Sequence, residues 1–179
     1  MHTFTFRHGQ RYRPLAVLTA LIALLGIFAV PASAATESAI GSTTTYAARV
    51  VQLTNAERAK AHLPPLATNA SLTSAAQNYA GVLSQDKCFA HTCGPQPDLK
   101  KRLESAGYTF SGYRGWSYGE NIAEGYQTPE AVVAAWMASP PHRANILNSS
   151  YRDIGVGLVV RSGSRYGYYW VQDFGARNR

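Results

Sequence analysis

The chain reads as an α+β protein, with helices in its first two thirds and an antiparallel strand pair at its end. Three observations carry this. Leu72, Ala75, Ala76, Tyr79, Ala80 and Leu83 recur at i, i+3, i+4 spacing, the apolar stripe of a helix over about Ala70 to Gln85. Thr128-Pro129-Glu130 is a helix start, with an N-cap, a proline in the first turn and an acid near the positive end of the dipole. Ile154, Val156, Leu158 and Val160 alternate with other residues, and so do Tyr166, Tyr168, Trp170, Gln172 and Phe174. Arg161 to Arg165, centred on Gly163, reads as the hairpin between the two runs. Helices followed by a hairpin indicate α+β layers and not a βαβ parallel sheet.

The elements follow in order. Arg7, Arg11 and Arg13 precede an uncharged apolar stretch from Leu15 to Val30, and Ala32-Ser33-Ala34 is a small-x-small cleavage site. This is the grammar of a secretory signal peptide over residues 1–34. The alternative is an uncleaved anchor, but the stretch is shorter than the ~20 residues of a spanning helix. Residues 35–46 are small and polar and read as a disordered lead-in. A first helix is expected from about Ala47 to His62, ended by Pro64-Pro65. A third, short helix is expected from Leu99 to Ala106, closed by Gly107. Residues 107–119, rich in Gly, Tyr and Ser, read as a long loop. The helix opened by Pro129 carries Val132, Val133 and Trp136 and stops before Pro140-Pro141.

Charge and cysteine content narrow the function classes. The net charge is +7, and residues 1–34 hold three of the basic residues and no acid, so the remainder carries +4. Lys100, Lys101 and Arg102 are the only tight basic cluster and read as a solvated helix face. Nucleic-acid binding is set aside, because it needs a basic stripe. Cys88 and Cys93 are the only cysteines. In an exported chain they are expected to pair; two free thiols would suit a reducing compartment. The loop they close is so short that its stabilisation should fall below the ~3 kcal/mol of a 15-residue loop. Its use would be local, stiffening the segment that carries His91.

Leu53-Thr54-Asn55-Ala56-Glu57-Arg58, Leu63-Pro64-Pro65-Leu66 and Phe89-Ala90-His91 resemble the first half of a CAP domain. Gly119-Glu120-Asn121-Ile122-Ala123 resembles its central signature. The run from Trp136 through Ser139-Pro140-Pro141-His142-Arg143 to Leu147 is similar to the bacterial form of the next one. Ile154-Gly155-Val156-Gly157 and Tyr169-Trp170-Val171-Gln172-Asp173-Phe174 complete the pattern. The CAP family comprises cysteine-rich secretory proteins, antigen 5 and plant pathogenesis-related proteins, with many bacterial members. The resemblance implies a CAP domain over 47–179, an α-β-α sandwich with a small antiparallel sheet between helices. It also implies a cleft of two histidines and two acids, which fall on His91, Glu120 and His142. The place of the second acid is Ser139, a departure that removes an anion from the cleft.

His91, Glu120 and His142 lie far apart in the chain, and no local ligand motif joins them. With the resemblance, two readings stand. Two imidazoles and one carboxylate with an open position are a plausible divalent-metal set, zinc being the simplest. The other reading is a hydrogen-bonded polar cluster. Gly115-Trp116-Ser117-Tyr118-Gly119 matches the G-x-S-x-G string, but a nucleophile elbow needs a strand before it and a helix after it in a larger parallel sheet. Trp136 and Trp170 read as core or cleft wall. The function taken from the sequence is a secreted, monomeric binding or interaction module for an extracellular lipid, glycan, peptide or protein partner. The alternative is a metal-assisted hydrolase using His91, Glu120 and His142.

Overall fold

The computed structural model describes residues 32–85 and 87–179, with side chains from residue 42 onward. The expected signal peptide therefore lies outside the described residues as far as residue 31. The elements in chain order are α1 (Ala32–Lys60), β1 (Ala67–Thr68), α2 (Ala70–Leu83), α3 (Leu99–Ser105), β2 (Gly115–Glu124), α4 (Pro129–Ala138), α5 (Pro140–Ile146), β3 (Asp153–Val160) and β4 (Tyr168–Asn178). They form one four-stranded sheet in the order β1-β3-β4-β2. β4 pairs antiparallel with β3 and with β2, and the two-residue β1 adds a parallel edge to β3.

Alternation along the strands sends side chains to two faces, and each face is covered by helices. On one face Ile154, Val156, Leu158, Trp170 and Phe174 pack against Val50 of α1, Val132, Val133 and Trp136 of α4, and Ile146 of α5. On the other, Ile122, Tyr169 and Val171 pack against Ala76, Tyr79, Ala80 and Leu83 of α2. A third cluster joins Leu72 and Ala75 of α2 to Leu103 of α3, Tyr108 and Phe110. The architecture is thus α-β-α. α2 lies so close to β3 that a Cβ added at Gly155 or Gly157 would overlap its backbone at Leu72, Thr73, Ala76 and Gln77. Gln77 bonds both ways with Leu158, its Nε2 donating to the carbonyl and its Oε1 accepting from the amide, each at 3.1 Å.

Several elements differ from the sequence expectation. α1 begins at Ala32, not near Ala47, so the segment expected to be a disordered lead-in lies within a helix; Ala34, Ala35, Glu37 and Ala39 are good helix formers. The chain leaves α1 through His62, at φ 58, before Pro64-Pro65. The expected loop over 107–119 ends early, because Gly115 to Gly119 is the first half of β2, paired with Asn178 to Phe174 of β4. Its Gly and Ser content carries no strand signal; the partner strand specifies it.

Arg58 is fully buried and holds α1 to the rest. Its Nε donates to the Pro64 carbonyl at 3.0 Å, and its Nη1 donates to the carbonyls of Ile146 and Asn148 at 2.9 Å. These carbonyls lie at the end of α5, where a helix leaves its last acceptors without intrahelical donors. Glu57 pairs with Lys60 at 2.6 Å.

Candidate functional site

The site is built on β2, an edge strand. Residues 118, 120 and 122 point their side chains to the α2 face, and Asp173 stands opposite Glu120 on β4. The Glu120 side chain is 1% exposed, and both of its oxygens are taken. Arg102 Nη2 donates to Oε2 at 2.5 Å, and His91 Nδ1 donates to Oε1 at 2.8 Å. The carboxylate fixes the imidazole by one nitrogen and leaves Nε2 as its free one.

Arg102 is the organiser. It comes from α3, lies 3.6 Å above the Tyr79 ring centroid, and donates through Nη1 to the carbonyls of His91 (2.9 Å) and Pro97 (3.1 Å). The sequence placed it on a solvated face with Lys100 and Lys101. The structure buries it, because each residue along a helix is rotated by about 100° from the last, so sequence neighbours fall on different faces. The segment carrying His91 is fixed at further points. Cys88 and Cys93 form a disulfide, with Cα atoms 5.7 Å apart, and Tyr79 Oη donates to the Ala90 carbonyl at 2.7 Å.

His142 arrives from the opposite layer, on α5. Its carbonyl accepts from Asn121 Nδ2 at 3.1 Å. Asn121 Nδ2 also donates to Gln172 Oε1 at 3.0 Å, and Gln172 Nε2 donates to Thr54 Oγ1 at 2.8 Å. This buried amide chain ties β2 and β4 to α1 and sets the start of α5. Ser139 is the residue between α4 and α5, so the place of the family's second acid holds a neutral hydroxyl. A groove of about 290 Å³ runs along the outer edge of β2, lined in part by Phe89, Ile122, Tyr126, Trp136, Ser139 and His142.

The two histidines are pushed in opposite directions. The hydrogen bond to Glu120 raises the His91 pKa, with partial burial opposing it. Burial lowers that of His142, and the charge of His91 lowers it further, which places the two rings within electrostatic reach of each other. Burial, and then the charge of Glu120, push the Asp173 carboxyl well above the usual range. Neither Asp173 oxygen nor Arg102 Nε finds a hydrogen-bond partner. Arg102 and Asp173 were not among the sequence candidates. An acid in the middle of an apolar strand run was the available signal for Asp173.

The residues as arranged do not fit a three-ligand metal site. Among the described residues no group of three His, Cys, Asp or Glu side chains is placed to hold an ion. The setting agrees: each oxygen of Glu120 already accepts a hydrogen bond, from Arg102 and from His91, and the side chain is 1% exposed. Ser117 stands within β2 opposite Ala176, so the G-x-S-x-G string lies inside an edge strand and not at a strand-to-helix turn.

Residues 51–174 match the sequence profile of the Cysteine-rich secretory protein family, CAP. The chain belongs to the CAP family. The uncharacterized protein YkwD of Bacillus subtilis is 41% identical over 139 residues, which cover 78% of this chain and 50% of YkwD. The uncharacterized membrane protein YlbC of the same organism is 30% identical, over 73% of this chain and 34% of YlbC. The chain thus spans half or less of the length of these CAP relatives. Among solved CAP-like structures, an extracellular SCP-domain protein of Bacillus anthracis superposes with a TM-score of 0.63 at 24% identity, over 76% of this chain and 41% of that one. An outer surface protein of Borrelia burgdorferi gives 0.62 at 23% identity, over 72% and 90%. At these identities the likeness is one of fold. No helix among the described residues is long and apolar enough to cross a membrane.

Proposed function

We propose that this CAP protein is exported and works outside the membrane as a binding module. Its ligand would sit in the cleft between His91 and His142 and in the groove beside it. Export is supported by the arginine-rich start, the apolar run and the Ala32-Ser33-Ala34 site, and by the disulfide. Two structural neighbours, one described as extracellular and one as an outer surface protein, point the same way.

One observation carries the choice of binding over hydrolysis. Glu120 is locked by Arg102 on one oxygen and by His91 on the other. A carboxylate so engaged orients a neighbour; with each oxygen already accepting a hydrogen bond and the side chain 1% exposed, it presents little open surface to a metal or a water. Ser139 supplies no replacement anion. The open groove with aromatic walls remains, and such surfaces hold apolar or sugar-like bodies while a few polar groups orient them.

The test is retention. The purified protein and a Ser139→Trp variant, whose indole would fill the groove, are each immobilised and challenged with extracellular extract from the producing cells. Bound small molecules, glycans and peptides are read by mass spectrometry. Species held by the wild type and released by the variant are expected. Identical retention by both would remove the groove from consideration. Metal-ion-dependent turnover of a retained species would reverse the choice in favour of hydrolysis.

A further inference from the structure

The start of β2 carries a surface that the cleft does not use. Trp116 stands about 13 Å along the strand from Glu120 and is 47% exposed, while the other two tryptophans, Trp136 and Trp170, are buried. Its ring is held in place. Tyr118 lies nearly parallel to it, with 5.6 Å between centroids and 20° between planes, and the Phe110 ring is 5.2 Å away. A ligand would therefore meet an indole already ordered, without the cost of immobilising it. Cations frame the ring. Arg177 stands opposite Trp116 across the β2–β4 pair, so both side chains leave the same face of the sheet. The Arg177 guanidinium lies 3.9 Å from the Tyr108 ring centroid and 5.0 Å from that of Tyr113, with Arg179 5.7 Å from Tyr113. Lys100 Nζ lies 5.7 Å from the Trp116 centroid, and Arg114 joins the group by donating to the Arg179 carbonyl at 3.2 Å. Two acids share this end of the sheet: Glu104 pairs with Lys100 at 2.6 Å, and Asp153 accepts from Tyr108 Oη at 2.6 Å. Arg114, Arg177 and Arg179 form no ion pair among the described residues. A fixed aromatic face thus stands beside a surplus of positive charge.

This combination selects a partner. A sugar ring presents C–H groups to the electron-rich face of an indole and keeps its hydroxyls in water. A guanidinium takes a carboxylate through two parallel N–H bonds. A uronate sugar meets both demands at once, because its carboxylate is attached to the ring. A ring resting on Trp116 would bring its charge towards Lys100, and Arg177 across the strand pair would meet the next one. Other occupants fit less well. Insertion into a lipid interface needs a ring that projects into the headgroup boundary, and Trp116 is packed on a strand against Tyr118 and Phe110. A nucleic acid needs a longer basic stripe than these four residues offer. We propose that the Trp116 end of the sheet is a docking surface for an acidic saccharide chain that bears carboxylates on its rings. It would hold the protein on such a chain while the cleft between His91 and His142 stays open, and it does not rest on the reading of that cleft.

Because Trp136 and Trp170 are buried, a ligand at this surface is read at Trp116. Tryptophan emission of the full secreted protein is followed as oligogalacturonate is added, with a neutral malto-oligosaccharide of the same length as reference. The acidic chain is expected to give a saturating change, with an affinity about tenfold above that of the neutral chain and falling as sodium chloride rises. Calorimetry then compares variants. Trp116→Ala should weaken binding about tenfold and Lys100→Gln about threefold, while Trp116→Tyr should keep most of the affinity. A response that does not saturate, an equal response to the neutral chain, or unchanged affinity in Trp116→Ala overturns the surface. If Trp116→Ala does not fold, the wild-type comparison of the two chains and Lys100→Gln decide. Tighter binding of a single-stranded oligonucleotide of equal charge, or of phosphatidylglycerol vesicles, assigns the surface to nucleic acid or to membrane and overturns the proposal as well. Ser139→Trp should leave the calorimetric glycan affinity unchanged. Failure of the glycan titration therefore leaves the groove reading standing, and loss of groove-dependent retention leaves this surface standing.

Discussion

Removing Arg102 would leave the Glu120 carboxylate buried with one oxygen unpaired, and would free the carbonyls of His91 and Pro97. Loss of one partner of a buried ion pair costs about 3–5 kcal/mol, far more than the pair contributes over an apolar replacement. Arg102→Met is therefore expected to lower unfolding free energy by that amount in a denaturant titration, whereas Lys101→Met, at an exposed neighbour, should change little. Equal effects would show that Arg102 is not the buried partner of Glu120. The histidines give a second test. The Glu120 hydrogen bond raises His91 above its usual 6.5, so that contribution to stability is complete below 6.5 and is lost as pH rises through the raised value. Burial lowers His142, so its cost appears as pH falls below 6.5. An NMR titration from alkaline pH should protonate His91 first and His142 second; the reverse order would contradict the arrangement. His91, Glu120 and His142 were legible only through the family pattern, since their spacing carries no local motif. Arg102 was hidden because a basic triplet looks like surface until the helix phase is known.

At the scale of elements, the contact between α2 and β3 depends on having no side chain at Gly155 and Gly157. A methyl at Gly157 would meet the backbone of Ala76 and Gln77, which cannot swing aside as a side-chain tip can. Gly157→Ala is expected to cost about 3 kcal/mol, the upper part of the range for overpacking. Gly81, inside α2, has nothing within 4 Å of an added Cβ. Gly81→Ala should therefore stabilise by about 0.5–1 kcal/mol through helix propensity. Denaturation midpoints of the two variants moving the same way would argue against so close an approach of α2. The glycine alternation in β3 was visible in the sequence, and so were α2, α3, α4 and the hairpin, because each has a local period or cap. β2 was not, for a physical reason. Its pairing partner lies some fifty residues away, and Gly115 and Gly119 weaken its intrinsic strand preference. The site stands on this least legible strand, so the sequence could name Glu120 but not the edge that holds it.

Among the described residues, the three clusters surround one sheet, and the first side chains of α1 to pack against the core are Tyr46 and Ala47, ahead of the fully buried Val50. This bears on maturation. Cleavage after Ala34 would remove only the first three residues of α1 (Ala32–Lys60), all of them well before that core contact. The helix from Ala35 onward would still keep Thr54 and Arg58 in place against the sheet and α5. Protein recovered from culture medium is expected to begin near Ala35 by N-terminal sequencing, and its melting temperature should match that of the chain expressed from Ala35. The competing outcome has a precedent in name, since the relative YlbC is described as a membrane protein. Material that fractionates with membranes and starts at Met1 would show that the apolar run from Leu15 to Val30 is retained as an anchor. The cleft would then face its ligand from a tethered position. A medium-borne chain starting near Ala35 would instead place the proposed binding module free in solution, where its cleft would have to recruit a ligand by affinity alone.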